Sequence, residues 1–447
     1  MNPLAEFIIS YPYYFSIFRF PAFLRESLRR PMLRIHQYAL HAVERAPPQG
    51  IKRLQEQRAQ HLIRYAFERV PFWRERITNS PLRSPDAFRT IADLQKLPVV
   101  TKAELKRVPL ERLLAEGVRA ERLMRDSTSG STGEPFHFYL DLWTAERKTA
   151  LLLRGAWWCG GKFSDRLVRI RNRDLLMLTT GDVLFINSYN DLDRVIDILQ
   201  SKSMEKFILH APVSTLIMLA RRIVERNTTI RPRVLLASAE KCSDEAREFL
   251  EDVFQCSVGD WYSCREVDSI AHRCEFGSVH ISTDQCVLEV VDNKDMPLPV
   301  GKHGRLVVTS LNNTVMPTIR YDFGDRGRII EKPCQCGLPF PALFFEGREV
   351  EFIRLPDERI IHPFRFTGPM DRRFDAILQY QIVRNGPWTF CIRVTPTRMW
   401  MENEKRHLLT DFQNILGAKA QITVEMTESL MPPGQKNAPY VSLYKQT

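Results

Sequence analysis

Asp126-Ser-Thr-Ser-Gly-Ser-Thr-Gly-Glu-Pro135 packs hydroxyl side chains and two glycines into one short run. Gly130 and Gly133 let the backbone approach a ligand and turn several N–H groups toward one point. Ser127, Thr128, Ser129, Ser131 and Thr132 add hydroxyl donors. Together these groups suit phosphate oxygens. A P-loop would continue through Gly-Lys-Ser/Thr into a helix. Here no lysine follows, and Phe136-His-Phe-Tyr-Leu140 reads as a strand. The segment is a lysine-free phosphate cradle carried between strands.

A second set of residues suits a metal. Cys274-Glu-Phe-Gly-Ser-Val-His280 and Cys334-Gln-Cys336 offer three thiolates and one imidazole. Cys3His is a standard closed, tetrahedral zinc set, and four protein ligands leave no place for a catalytic water. The expected ion is a structural zinc that clips residues 281–332 into a loop. The remaining cysteines (159, 242, 256, 264, 286 and 391) read as ordinary reduced residues. Nine thiols at irregular spacing argue against a secreted disulfide framework.

These groups need a scaffold. The 447 residues suggest two or three domains of about 100–200 residues. Hydrophobic residues make up 44%, enough for a sizeable core, and charged residues 26%. A formal charge of +11 favours anionic partners. No basic run is interleaved with aromatics as in nucleic-acid modules, so no nucleic-acid partner is expected. The apolar stretch from Phe7 to Phe20 contains Pro12 and Arg19, and it is shorter than the ~20 residues of a membrane span. It is expected to pack on the main domain. With no evident signal peptide, the expected compartment is the cytoplasm.

Residues 1–75 read as mostly helical. Leu54, Leu62, Ile63, Ala66, Phe67 and Val70 mark one helix face. Thr101 caps a helix after Leu97-Pro-Val-Val, and Ser243 caps another with the stripe Ala246, Phe249, Leu250, Val253 and Phe254. Strands are expected at 136–140, 234–237, up to Asp260, 286–291 and 305–310. The last hundred residues read as strand-like alternation over 382–394, a helix over 403–416 stopped by Gly417, and a strand over 420–426. The fold class is α/β: a large multi-sheet N-terminal domain, 1–347, and a small α+β C-terminal domain, 348–447.

Thr128-Ser-Gly-Ser-Thr-Gly-Glu-Pro135 resembles the signature loop of the acyl-adenylate-forming superfamily. The closer resemblance is to its phenylacetate–CoA ligase-like branch, which includes the adenylyltransferase-like proteins of capsule gene clusters. It covers nearly the whole chain, beginning at His61-Leu-Ile-Arg-Tyr-Ala-Phe-Glu-Arg-Val-Pro-Phe-Trp73 and Leu97-Pro-Val-Val-Thr-Lys102. Ser238-Ala-Glu240 resembles the Gly-Glu segment beside the adenine, with Ala239 in place of glycine. Asp260-Trp-Tyr-Ser-Cys-Arg-Glu266 resembles the Tyr-Gly-x-Thr-Glu segment, with Ser263 for glycine and Arg265 for threonine. The resemblance implies that Tyr262 stacks on adenine and Glu266 holds magnesium, for which a carboxylate is a suitable hard ligand. Arg320-Tyr-Asp-Phe-Gly-Asp325 resembles Tyr-Arg-Thr-Gly-Asp, so Asp325 would accept from ribose hydroxyls. Gly347-Arg348 resembles the start of an inter-domain hinge, with Val350 where an acid is usual. The Cys3His set stands where zinc-bearing members of the branch have theirs.

Adenylation builds negative charge that a positioned lysine stabilises. The family takes it from a Gly-Lys segment near the C-terminus, and Lys436 in Met431-Pro-Pro-Gly-Gln-Lys-Asn-Ala-Pro439 is the candidate. It stands one residue further from Gly434 than is usual. Trp157-Trp158 with Gly160-Gly161, and His210-Ala-Pro-Val-Ser214, are candidate walls for the acid pocket. Aromatic walls suit an apolar or aromatic acid, although paired tryptophans are more often core.

The leading expectation is a two-step ligase: ATP and a carboxylic acid give acyl-AMP, and coenzyme A takes the acyl group. An amide- or ester-forming synthetase using an amine or hydroxyl acceptor, as in natural-product or polysaccharide assembly, is the close alternative. A nucleotide-binding protein without turnover is a third, kept open by Ala239, Arg265 and Val350. A zinc-stabilised basic nucleic-acid-binding protein is the alternative from another class, but it leaves the 127–135 loop and Asp325 unexplained. A homodimer is implied by the resemblance alone.

Overall fold

The structure is a computed structural model. It describes residues 22–127, 136–171, 178–180, 183–187, 192–201, 206–348, 353–361, 366, 369–370, 373, 376–428, 430 and 441–442. The Phe7–Phe20 stretch lies outside them. The chain forms two compact units, one of Met1–Asp165, Thr179–Val183 and Gly259–Glu346, the other of Arg166–Leu178, Leu184–Val258 and Gly347–Thr447.

In the first unit, the helix Pro48–Arg69 starts on a proline at its first turn and ends just before Pro71, as proline's fixed φ and missing N–H favour. It buries Ile51, Leu54, Leu62, Ile63 and Ala66, the isoleucines and leucines each stabilising by about 1.5–3 kcal/mol. Phe67 from the expected stripe is only partly buried, while Val70 is fully buried as the cap residue. Thr101 accepts from the Glu104 N–H at the start of Lys102–Arg107, as its sequence position predicts.

The sheet of this unit runs Cys286–Val291, Gly304–Ser310, Tyr321–Ile330, Ala342–Arg348, Val279–Ile281, Asp268–Arg273 and Ser257–Cys264. The first three of these pair antiparallel, as do the last three. A separate hairpin joins Met124–Ser127 to His137–Leu140, with Ser127 opposite His137. Ser127 and His137 therefore stand side by side at the open end of the hairpin.

The second unit contains parallel strands Arg166–Arg171, Phe207–Pro212 and Val234–Ser238. Val234–Ser238 is buried throughout, as a strand covered on both faces should be. Ser243 caps Asp244–Phe254 through the Ala246 N–H, and Ala246, Leu250 and Phe254 form its buried face.

The C-terminal sheet of the second unit has the order Gln421–Met426, Thr389–Pro396, Ile377–Arg384, Val441–Ser442. The helix Glu402–Leu416 ends at Gly417, whose φ of 92° disfavours other residues. The alternation expected over 382–394 is in fact a hairpin, Ile377–Arg384 against Thr389–Pro396. Gly386-Pro387 breaks it, and Asn385 and Thr389 close the turn through backbone bonds.

Candidate functional site

The strand Ser257–Cys264 turns sharply into Asp268–Arg273, with Asp268 at φ 85°. Tyr262 sits on the first strand and donates its hydroxyl to Asp325 Oδ2 at 2.7 Å. Its ring packs against Phe345 at 4.7 Å and lies 6.4 Å from Phe323. In the turn, the buried Glu266 accepts from the Tyr321 hydroxyl at 2.7 Å. Burial, reinforced by the Glu266 charge, raises the Tyr321 pKa, so this phenol stays protonated as a donor.

Tyr321 and Asp325 share the strand Tyr321–Ile330. The register against Gly304–Ser310 shifts along this strand, and Gly324 sits in the irregular stretch at φ 85°. Such an irregularity re-aims the side chains beside it. Two carboxylates, each held by a tyrosine hydroxyl, thus stand on one aromatic run.

Cys264 lies between Tyr262 and Glu266 in sequence, close to both carboxylates. Burial, with Glu266 and Asp325 nearby, pushes its thiol well above the usual range. It is held as a neutral thiol, matching the ordinary role expected of it. Arg265 is half-exposed and pairs with Asp126 at 3.5 Å. Asp260 lies 4.0 Å from Arg273.

Ala239 and Glu240 lie in the second unit, just past the strand Val234–Ser238. Ala239 has φ 67°, a left-handed backbone where the segment it resembles has glycine. Glu240 accepts from the Ser214 N–H and hydroxyl at 2.8 and 2.9 Å. Ser214 opens the helix Val213–Glu225, so the carboxylate caps a helix N-terminus whose N–H groups lack internal partners. The Thr128, Ser129, Gly130, Ser131, Thr132 and Gly133 loop and Lys436 lie outside the described residues, as does the side chain of Arg348.

Cys274, His280, Cys334 and Cys336 do meet. Their ligand atoms all lie within 4.8 Å of one another. Cys274 and Cys334 sulfurs are 3.8 Å apart, the edge of a tetrahedron with metal–sulfur bonds of about 2.3 Å. His280 Nδ1 lies 2.8 Å from the Phe340 carbonyl. A carbonyl only accepts, so Nδ1 carries the proton and Nε2 faces Cys336 Sγ at 3.2 Å. That backbone bond is the orienting contact metal-binding histidines generally make. Each cysteine segment is a tight turn closed by a left-handed glycine, Gly277 at φ 84° and Gly337 at φ 70°.

The tryptophan pair belongs to this neighbourhood. Trp158 is buried, donates to Glu44 at 2.8 Å, and sets its ring edge-on to His280. Trp157 stacks on Phe163. Arg154 lies over the Trp158 and Phe340 rings and donates from Nη1 to both Asp284 oxygens at 2.9 and 3.0 Å, fully buried with it. Burial alone would raise the Asp284 pKa, but Arg154 overrides it and holds the carboxyl below its ordinary value. His210, the other candidate wall, is buried between Arg169 and Ser238.

Sequence reasoning missed the partners: Tyr321 for Glu266, Tyr262 for Asp325, Ser214 for Glu240 and Phe340 for His280. Tyr321 had a signal, since it stands inside the motif that ends at Asp325.

No protein-family model matches the chain. A phenylacetate-coenzyme A ligase of Thermus thermophilus is 26% identical over 318 residues, 66% of this chain and 69% of that protein. Protein CapK of Staphylococcus aureus is 23% identical, over 61% of this chain and 62% of its own. Among solved structures, a 2-hydroxyisobutyryl-CoA ligase in the postadenylation state aligns with TM-score 0.74 at 19% identity, over 90% of this chain and 91% of that one. The fold is that of the adenylate-forming CoA ligases. In sequence, the relatives support the phenylacetate–coenzyme A ligase-like branch. An anthranilate CoA ligase shares the fold more distantly, with TM-score 0.54 at 14% identity over 73% of this chain and 66% of that one. None of the described helices is long and apolar enough to cross a membrane.

Proposed function

We propose that this chain is an ATP-dependent acid ligase. A carboxylate oxygen attacks the α-phosphorus of ATP, and the bond to the β-phosphate breaks. The products are acyl-AMP and pyrophosphate. The sulfur of coenzyme A then attacks the acyl carbon, AMP leaves with the bonding pair, and the thiol proton passes to solvent. The observation that carries this reading is the pairing of Tyr262 with Asp325 and of Glu266 with Tyr321 along one aromatic run. The similarity to phenylacetate- and 2-hydroxyisobutyryl-CoA ligases supports it.

In this reading Tyr262 faces the adenine, Ala239 and Glu240 contribute to nucleotide binding, and Asp325 takes the ribose hydroxyls. The 128–133 loop cradles the phosphates, and Asp260 leads into the Tyr262 segment. Glu266 would hold magnesium, a hard cation suited to carboxylate oxygen. When bound, the ion neutralises phosphate charge. Lys436 stabilises the charge that builds during adenylation, and Arg348 marks the hinge between domains 1–347 and 348–447. Cys274, His280, Cys334 and Cys336 would hold a structural zinc. The substrate is a small carboxylic acid, and the reaction is cytoplasmic.

The test is single turnover with ATP and a panel of acids. Mass spectrometry should find acyl-AMP with one acid class, converted to the thioester when coenzyme A is added. Lys436→Ala should slow adenylate formation about 100- to 1,000-fold. A wild-type rate in that variant removes Lys436 from the site.

A further inference from the structure

Asp126 and Phe138 face each other across the Met124–Ser127/His137–Leu140 hairpin. The Lys148 ammonium lies 5.2 Å from the Phe138 ring centre and donates to the Arg265 carbonyl at 3.1 Å. The Arg265 guanidinium reaches back to Asp126. Arg265 therefore bridges the Asp126 carboxylate through its side chain and the Lys148 ammonium through its carbonyl, one residue from Glu266. The Arg265–Asp126 pair is long at 3.5 Å, and its side chains are 50% and 33% exposed. A pair so wet contributes little to stability and is readily given up.

We infer that Arg265 binds the outer phosphates of ATP and the pyrophosphate product, and that Asp126 holds it until they arrive. This rests on the nucleotide reading above. The threonine that the resembling segment carries at this position has a short hydroxyl that reaches one oxygen close to its own backbone. Arginine extends its charge several ångströms further and presents a planar fork of donors that fits two phosphate oxygens at once. The substitution moves the contact outward, away from the backbone of the turn. Exchanging one carboxylate for a multiply charged pyrophosphate group is electrostatically favourable for Arg265. Lys148, fixed on the Arg265 carbonyl, adds a second positive charge on the same side.

Titration calorimetry with Mg-ATP, Mg-pyrophosphate and AMP tests this on the full chain. Arg265→Thr should weaken ATP and pyrophosphate about 10- to 100-fold and leave AMP within about twofold. Asp126→Asn should tighten ATP and pyrophosphate by a few fold, because Arg265 is no longer held. Thermal melts of both variants confirm folding. Unchanged ATP binding in Arg265→Thr, or equal weakening of ATP and AMP, overturns the inference while leaving the nucleotide site standing. Wild-type protein that binds none of the three probes overturns the nucleotide reading itself.

Discussion

The Cys/His clip and the Tyr262–Asp325 site share one unit and one sheet, yet they are built in opposite ways. In the clip the four donor atoms point at one another, and their supports, such as the Phe340 carbonyl on His280 Nδ1, face outward. Such an arrangement suits an ion that stays. At the other site the carboxylates point at tyrosine hydroxyls. Those bonds hold Asp325 and Glu266 in place before any ligand arrives, and a ligand that engages them must share or displace a phenol. On the function proposed above, the first region would be stable when filled and the second ordered yet exchangeable.

Removing the clip's donors should give the largest effect. Cys334→Ser with Cys336→Ser should abolish stoichiometric zinc and cost several kcal/mol of stability, since structural metal binding is itself folding energy. Zinc analysis and denaturant melts of the same preparation check this. A double variant as stable as wild type would reduce the clip to four ordinary residues.

Next is the buried pair that supports the clip's neighbours. Asp284→Asn should cost about 3–5 kcal/mol by leaving Arg154 buried without its counter-charge. The pair also sets a pH dependence. Asp284 has a folded-state pKa below its unfolded value, so its contribution is present above about pH 4 and is lost as pH falls through and below that value. Wild-type melts should weaken in that window, and Asp284→Asn should weaken less steeply.

At the exchangeable site the effects should be smaller and should separate. Tyr262→Phe removes the hydroxyl from Asp325 and should lower stability by about 1–2 kcal/mol, with ATP affinity within a few fold. Asp325→Ala should weaken ATP about tenfold. Equal loss of ATP affinity in both variants would mean that the phenol is a ligand contact in its own right. The smallest effect concerns Ala239. Its left-handed backbone makes Ala239→Gly stabilising by about 0.5–1 kcal/mol, readable as a small rise in Tm without loss of nucleotide binding.

The clip was legible in the sequence because Cys and His carry their chemistry in their type, and three thiols with one imidazole leave few other readings. The helix caps at Thr101 and Ser243 were legible for the same local reason. The tyrosine–carboxylate pairs were not. They depend on which residues face each other across strands, and two register irregularities decide that, one near Gly324 and one between Ser269 and Ala271. No pattern in a single strand reports such a shift. Trp157-Trp158 shows the same limit: the aromatic pair suggested a pocket wall, while contacts from distant segments make Trp158 the packing partner of His280 and Arg154. The strand-like alternation read over 382–394 was right in kind, but the hairpin turn within it was not legible because the turn is short and its flanks alternate alike.

Acid-dependent exchange of labelled pyrophosphate into ATP is the direct test of acid activation by this chain. Exchange should require magnesium and one class of small carboxylic acid, and should fall to background without the acid. Metal-replete, folded protein that gives no exchange with any acid, and instead binds DNA or RNA with steep salt dependence, would contradict it.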